Sequence, residues 1–202
     1  MRVIAGEARG VPLVAPKGEG TRPTSDLLKG AIFSSLGAAG ARGRVLDLFA
    51  GSGALGIEAL SRGASWCDFV ESAEAACRAI QTNLERTKLS DRARIHCRPV
   101  QRFLASAMSD GAVEPYDLIL MDPPYALDVG AVLDLVGTSR LVAERTLVVV
   151  EHSSRRQLPD VAGRLRKIKT RTHGDSAFSV YVMDAPAAGA PRATPEPPRT
   201  EA

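Results

Sequence analysis

The chain has 202 residues, 45% of them hydrophobic and 24% charged, with a net charge of +3. That length suits one domain around a single core, in the ordinary range for a globular protein. No run of 18 apolar residues occurs, which excludes a membrane-spanning helix, and Met1 to Glu7 lack the charged and apolar regions of a signal peptide. Cys67, Cys77 and Cys97 form no C-x-x-C pair and have no zinc spacing. They read as reduced, mostly buried thiols of a cytoplasmic protein that holds no metal. The charge is unevenly spread. Residues 1–44 carry seven Lys/Arg against three acids, residues 155–174 seven against one, and the centre, 45–154, ten against fifteen. Two basic flanks around an acidic centre fit a polyanion held by the flanks, although solvated surface without a partner gives the same pattern.

Taken in chain order, Arg2–Ala5 and Val11–Val14 bracket Gly6 to Gly10 as a β-hairpin. Residues 21–26, Thr-Arg-Pro-Thr-Ser-Asp, then lead into a helix over Leu27–Leu36 with Thr24 or Ser25 as its cap. The body alternates short apolar runs with helical periodicity. Strands are expected at Val45–Phe49, Cys67–Glu71, Ala93–Cys97, Leu118–Met121 and Thr146–Glu151. Helices fall between them at Ala54–Ser61, Ala73–Lys88, Val100–Ser109 and Val129–Val136. That order implies an α/β fold, a parallel sheet with helices on both faces. Two further strands, Arg164–Thr172 and Ala177–Met183, are separated by four residues and must run antiparallel. The expectation is a seven-stranded Rossmann-like sheet with an antiparallel C-terminal hairpin and a small N-terminal hairpin-and-helix extension, all within residues 1–184. From Ala185 the chain holds five prolines and nothing aliphatic larger than Ala, so 185–202 reads as a disordered tail.

Two loops carry chemistry. The run Asp47-Leu48-Phe49-Ala50-Gly51-Ser52-Gly53-Ala54-Leu55-Gly56 takes a buried strand through glycines directly into a helix, where a ligand can approach the backbone closely. Glu71, twenty residues after Gly51, ends the next strand and can accept two ribose hydroxyls. The same spacing satisfies G-x-G-x-x-G, so a dinucleotide must be weighed. Asp47 favours a different cofactor. An acid inside the first strand is unhelpful near a pyrophosphate and useful near the cationic amino-acid end of S-adenosylmethionine, either directly or by bracing the loop.

The second loop, Asp122-Pro123-Pro124-Tyr125, follows the strand ending at Met121, at the sheet end where open α/β proteins bind ligands. Its residue types suit methylation of an exocyclic amine, whose lone pair is delocalised into the ring. Asp122 and the Pro123 carbonyl can each accept an N–H and draw the nitrogen towards tetrahedral geometry. Consecutive prolines hold that carbonyl in place. Tyr125 offers a face for an extruded base, worth about 1–3 kcal/mol.

With these residues in view, the sequence resembles the RsmD-type 16S ribosomal RNA guanine-N2 methyltransferases. The resemblance runs from Arg2 to about Tyr181 and rests on Val3-Ile4-Ala5-Gly6, Arg9-Gly10, the Thr21 to Asp26 segment, the run from Asp47 to Ala64, Asp122 to Tyr125, and Gly174-Asp175. It implies S-adenosylmethionine as cofactor on Asp47, Phe49, Ala50, Gly51, Gly53, Glu71 and Val100, with Asp122, Pro123, Pro124 and Tyr125 catalytic. It implies Arg9, Arg22, Thr24 and Asp26 near the RNA, residues 1–44 as an RNA-binding extension of a catalytic core over 45–184, and a monomer acting on 16S rRNA in a small-subunit assembly particle. Leu27, Gly30, Val11 and Ala73 depart from the family pattern. So does Pro99, which leaves the adenine contact to the backbone of Val100. The rival readings are an adenine-N6 methyltransferase, a protein-glutamine methyltransferase, and an RNA-binding assembly factor without catalysis.

Overall fold

The computed structural model describes residues 1–16, 26–37, 42–109 and 114–183. Helix α1 (Asp26–Leu36) precedes an alternation of strands and helices: β1 (Gly43–Leu48), α2 (Ala54–Ser61), β2 (Ala64–Glu71), α3 (Glu74–Thr87), β3 (Ala93–Cys97), α4 (Val100–Ser109), β4 (Leu118–Met121), α5 (Val129–Thr138) and β5 (Leu147–Ser153). The chain then adds β6 (Val161–Ala162), β7 (Leu165–His173) and β8 (Ser176–Met183). All eight strands join one sheet in the order β3-β2-β1-β4-β5-β8-β7-β6. Strands β1 to β5 are parallel, while β8, β7 and β6 run antiparallel to their neighbours.

The inner parallel strands β1, β2, β4 and β5 carry contiguous buried stretches, which is why they read as continuous apolar runs, whereas the edge strand β3 and the antiparallel β7 keep accessible polar residues. Successive residues of β4 divide cleanly. Leu118 and Leu120 join a cluster with α1, α2 and α3, whereas Ile119 and Met121 join one with α4 and α5. Helix α5 opens on Asp128, whose carboxylate accepts from the Ala131 N–H at 3.3 Å.

Two expectations need correction. The sheet has eight strands rather than seven, because the two-residue β6 pairs with Leu165 and Arg166. So short a piece has no periodicity to read. The N-terminal hairpin is reduced to one antiparallel bridge, Arg2 with Pro12, backed by hydrogen bonds such as Val3 N–H to Val11 O at 3.0 Å and Gly10 N–H to Val3 O at 2.9 Å. The expected 185–202 tail lies outside the described residues.

Instead of standing apart, the extension is bolted to α2. Glu58, fully buried, accepts from the Ile4 and Ala5 N–H groups at 2.8 and 3.1 Å and from Arg62 Nε at 2.7 Å, with Lys29 Nζ 3.6 Å away. Lys29, also fully buried, donates to Arg2 O at 2.5 Å. Gly6 packs so closely on α2 that a Cβ there would collide with Ser61 O at 1.7 Å. Further along the extension, Asn83 of α3 clasps Val14 by both backbone groups, at 2.7 and 2.9 Å, and donates to Ser52 O in the glycine loop at 2.9 Å.

Candidate active site

Strand β1 ends beside β4, with Leu48 paired to Met121, so the glycine loop and the Asp122 loop leave the sheet side by side. The Asp122 N–H donates to Leu48 O at 3.4 Å across that junction. Immediately after Leu48 the backbone takes left-handed conformations: Phe49 at φ 61°, Gly51 at 55° and Gly53 at 76°. A non-glycine residue held there costs on the order of 1–3 kcal/mol, and such strain tends to gather at functional sites. The turn is closed by the Ala50 N–H to Val70 O at 3.1 Å and the Gly53 N–H to Ala50 O at 2.7 Å. Ala50 is buried, and Phe49 packs against the α4 and α5 side of the sheet.

Each glycine has its own reason. A Cβ at Gly51 would meet nothing within 4 Å, so this stretch of backbone faces open space. At Gly56 a Cβ would strike Phe69 Cε1 at 2.4 Å and Cys67 Sγ at 2.7 Å, so glycine there lets α2 lie close on β2.

Asp47 braces this loop from below. Its carboxylate, 1% exposed, accepts from the Gly56 N–H at 2.9 Å. Burial pushes the Asp47 carboxyl well above the usual range, and the nearby charges of Asp122 and Glu71 push the same way. Of the two roles left open for Asp47, the geometry supports bracing. Glu71, at the end of β2, accepts from the Gly51 N–H at 2.9 Å through one oxygen and from the Ser72 and Ala73 N–H groups at 2.7 and 2.8 Å through the other. Its carboxylate is thus fixed at the rim of the loop. Val100, buried, opens α4 beyond β3, at the same end of the sheet.

In the Asp122 loop, Pro123 is buried and Tyr125 is 66% exposed. A residue that the sequence reading missed holds the loop's far side: Arg156, beyond β5, donates to Tyr125 O at 3.3 Å and to Leu127 O at 2.5 Å. Its only advance signal was membership of the basic stretch 155–174, which cannot tell a brace from solvated surface.

Of the expected RNA-contacting residues, Arg9 and Asp26 are among those described. Arg22 and Thr24 lie outside the described residues. Arg9 is exposed in the turn that packs on the end of α2 at Ser61, about 12 Å of helix away from the glycine loop. The structure therefore does not gather Arg9 with the Asp122 loop. Asp26 opens α1, accepts from the Arg2 N–H at 3.3 Å, and stands 3.8 Å from Lys29 Nζ and from Arg2 Nε.

The family described as "Conserved hypothetical protein 95" matches residues 1–182. Ribosomal RNA small subunit methyltransferase D of Escherichia coli (strain K12) is 30% identical over 186 residues, covering 92% of this chain and 91% of that protein. The chain belongs to the RsmD-type family. A further relative, the Bacillus subtilis (strain 168) protein YlbH, provisionally named an rRNA methyltransferase, is 37% identical over 182 residues, 90% of this chain and 98% of its own length. A solved structure of a hypothetical protein from Thermus thermophilus superposes with a TM-score of 0.77 at 36% identity, covering 89% of this chain and 98% of that one. The RsmD-type resemblance, read in the sequence from Arg2 to about Tyr181, agrees with the family match over residues 1–182.

Proposed function

We propose that this enzyme methylates the exocyclic N2 of a guanine in 16S rRNA, with S-adenosylmethionine as donor, on a small-subunit assembly particle. The observation that carries the reading is the junction of β1 and β4, where Asp122 follows Met121 directly beside the loop that Asp47 braces. The names of the E. coli and B. subtilis relatives support the rRNA substrate.

Charge favours the methyl donor over a dinucleotide. Asp122 and Glu71 both act electrostatically on Asp47, so acids converge at the carboxyl ends of β1, β2 and β4. A pyrophosphate would be repelled there, whereas a cationic ligand is attracted. When bound, S-adenosylmethionine supplies a methyl group already activated by its sulfonium. Gly51 and Gly53 give that ligand access to the backbone, Glu71 takes its ribose hydroxyls, and Val100 borders its adenine.

The chain's own residues then prepare the nucleophile. The Asp122 carboxylate and the Pro123 carbonyl each accept one N–H of the target amine, which frees its lone pair for in-line attack. Tyr125, exposed at the mouth, stacks on the extruded base. Positioning supplies most of the acceleration, and the proton leaves after transfer. The basic flanks hold phosphates of the surrounding RNA.

Transfer of tritiated methyl groups to undermodified 30S particles, naked 16S RNA and duplex DNA, followed by nucleoside analysis, tests this. N2-methylguanosine from RNA is the expected product. Methyladenine would overturn the guanine assignment, and label in duplex DNA alone would overturn the RNA substrate.

A further inference from the structure

A groove of about 620 Å³ lies on the α4 face of the sheet, lined by none of the residues assigned above to catalysis or cofactor. Its floor is Asp68, 4% exposed, which accepts from His96 Nε2 at 2.7 Å, Trp66 Nε1 at 2.8 Å and Tyr116 Oη at 2.9 Å. Burial pushes the Asp68 carboxyl up, but the hydrogen bonds from His96, Tyr116 and Trp66 outweigh it and hold the group below the usual carboxylate range. Asp68 is therefore a satisfied anion that fixes three rings around it.

The walls are basic. Strand β3 is the sheet's edge; Arg94 and His96 fall on one face of it, about 6.6 Å apart by two residues of strand rise, and Arg98 lies in the bend just past its end, where its N–H donates to His96 O at 2.9 Å. Among the described residues neither Arg94 nor Arg98 meets a carboxylate. The Arg98 guanidinium lies 5.1 Å over the Phe103 ring, and that of Arg44 lies 5.2 Å over Tyr116. The Nε atoms of Arg98 and Arg44 are buried and find no acceptor among the described residues. Glu114, an exposed partner of Arg44, and Asp68 are the groove's acids against three arginines.

We infer that this groove binds consecutive phosphates of a single RNA strand, the strand that carries the target base; this rests on the proposed RNA methylation. Three features favour a polynucleotide over a small anion. The basic residues Arg94, His96 and Arg98 follow one another along an open edge strand and the bend past its end, so they present charge along a line rather than at one point. The groove also starts at Arg98, directly before Pro99 and Val100 at the cofactor end, and runs towards Arg94 and Arg44 at the strands' amino ends. Finally, the half-buried Trp66 ring stands among the guanidinium groups, with Phe103 and Tyr116 buried beneath Arg98 and Arg44, and an aromatic beside arginines is a combination that single-strand grooves use.

The test is R94A/R98A in the full chain, read by filter binding of labelled 16S RNA across a salt series and by methyl-transfer kinetics on 30S particles. The variant should bind RNA roughly tenfold more weakly, with the slope of log K against log salt shallower by about 2. Its KM for particles should rise by a similar factor while kcat changes far less. R94K/R98K, which keeps the charges, should recover most of the affinity. Cofactor titration and melting temperature report folding, and Arg94→Ala alone should lose about half of the slope change should the double variant melt early. Unchanged RNA affinity and salt slope would overturn the proposal. So would tight binding of guanosine monophosphate or inorganic phosphate that the double variant loses while keeping its affinity for RNA, since the groove would then be a small-anion site. The binding readout needs no turnover, so a parent protein that binds RNA without methylating it would refute the proposed reaction and leave the groove standing.

Discussion

Asp47 and Asp122 show how one side chain serves two ends at neighbouring strand termini. Asp47 is buried under the loop and accepts from the Gly56 N–H, so it fixes the backbone there. Asp122 is half-buried one strand away, directly after the end of β4. Replacing Asp122 with Ala should lower kcat by roughly 10²- to 10³-fold, the usual scale for losing one electrostatic contact of the transition state. Cofactor affinity, measured by calorimetry, should stay largely intact, and turnover close to the parent's would refute the role. His152 offers a pH handle. It is buried, with Nδ1 to Ser153 O and Nε2 to Ser179 Oγ, both at 2.9 Å. Burial holds its imidazole below the ordinary 6.5, and the Lys167 and Arg156 charges press the same way. The unfolded chain therefore takes up a proton near pH 6.5 that the folded chain refuses, so stability present at pH 7 is lost as pH falls below about 6.5. His152→Gln should flatten the melting temperature between pH 7 and 5, compared with the parent over the same range.

Among the elements, the Asp122 loop is the one that depends most on a remote partner. Proline rings stiffen its first half, but from Tyr125 to Leu127 it is held by the two Arg156 hydrogen bonds and by Leu127 N–H to Pro124 O at 3.0 Å. Arg156 positions the loop without touching substrate. Arg156→Ala should lower kcat by roughly 10- to 100-fold through misplacement of the Pro123 carbonyl and Tyr125. The cofactor's dissociation constant should not move, and Lys, with one donor group in place of a fork, should restore only part of the rate. A rise in KM alone would instead mark Arg156 as an RNA contact.

For the molecule as a whole, the N-terminal extension and the catalytic body share one buried ionic joint. Glu58 there gathers two backbone N–H groups, Arg62 and Lys29. Glu58→Ala would strand the buried Lys29 ammonium along with those donors, at a cost of about 3–5 kcal/mol. In a domain of this size that is a fall in melting temperature of roughly 10 °C. Lys29→Met should cost clearly less, because Glu58 keeps Arg62 and both N–H groups. Thermal melts of the two variants decide it, and equal losses would contradict the account. Since Asn83 ties Val14 to Ser52, loosening the extension should also disturb the glycine loop.

By itself the sequence determined the alternation of strands and helices, the glycine turn and the Asp-Pro-Pro-Tyr turn. Each is written in local pattern: burial on both faces gives unbroken apolar runs, and glycine or proline marks the backbone where it must bend. It did not reveal β6, which is too short for a period, nor the reduction of the hairpin to one bridge at Pro12. Only the tertiary structure decided that Asp47 braces the glycine loop through the Gly56 N–H, that Arg156 grips the Tyr125 loop, and that Lys29 and Glu58 meet in the interior. Those outcomes join residues 9, 31 and 29 positions apart. A charge in sequence looks the same whether solvent or a buried partner faces it, and only the folded chain brings the partner within reach.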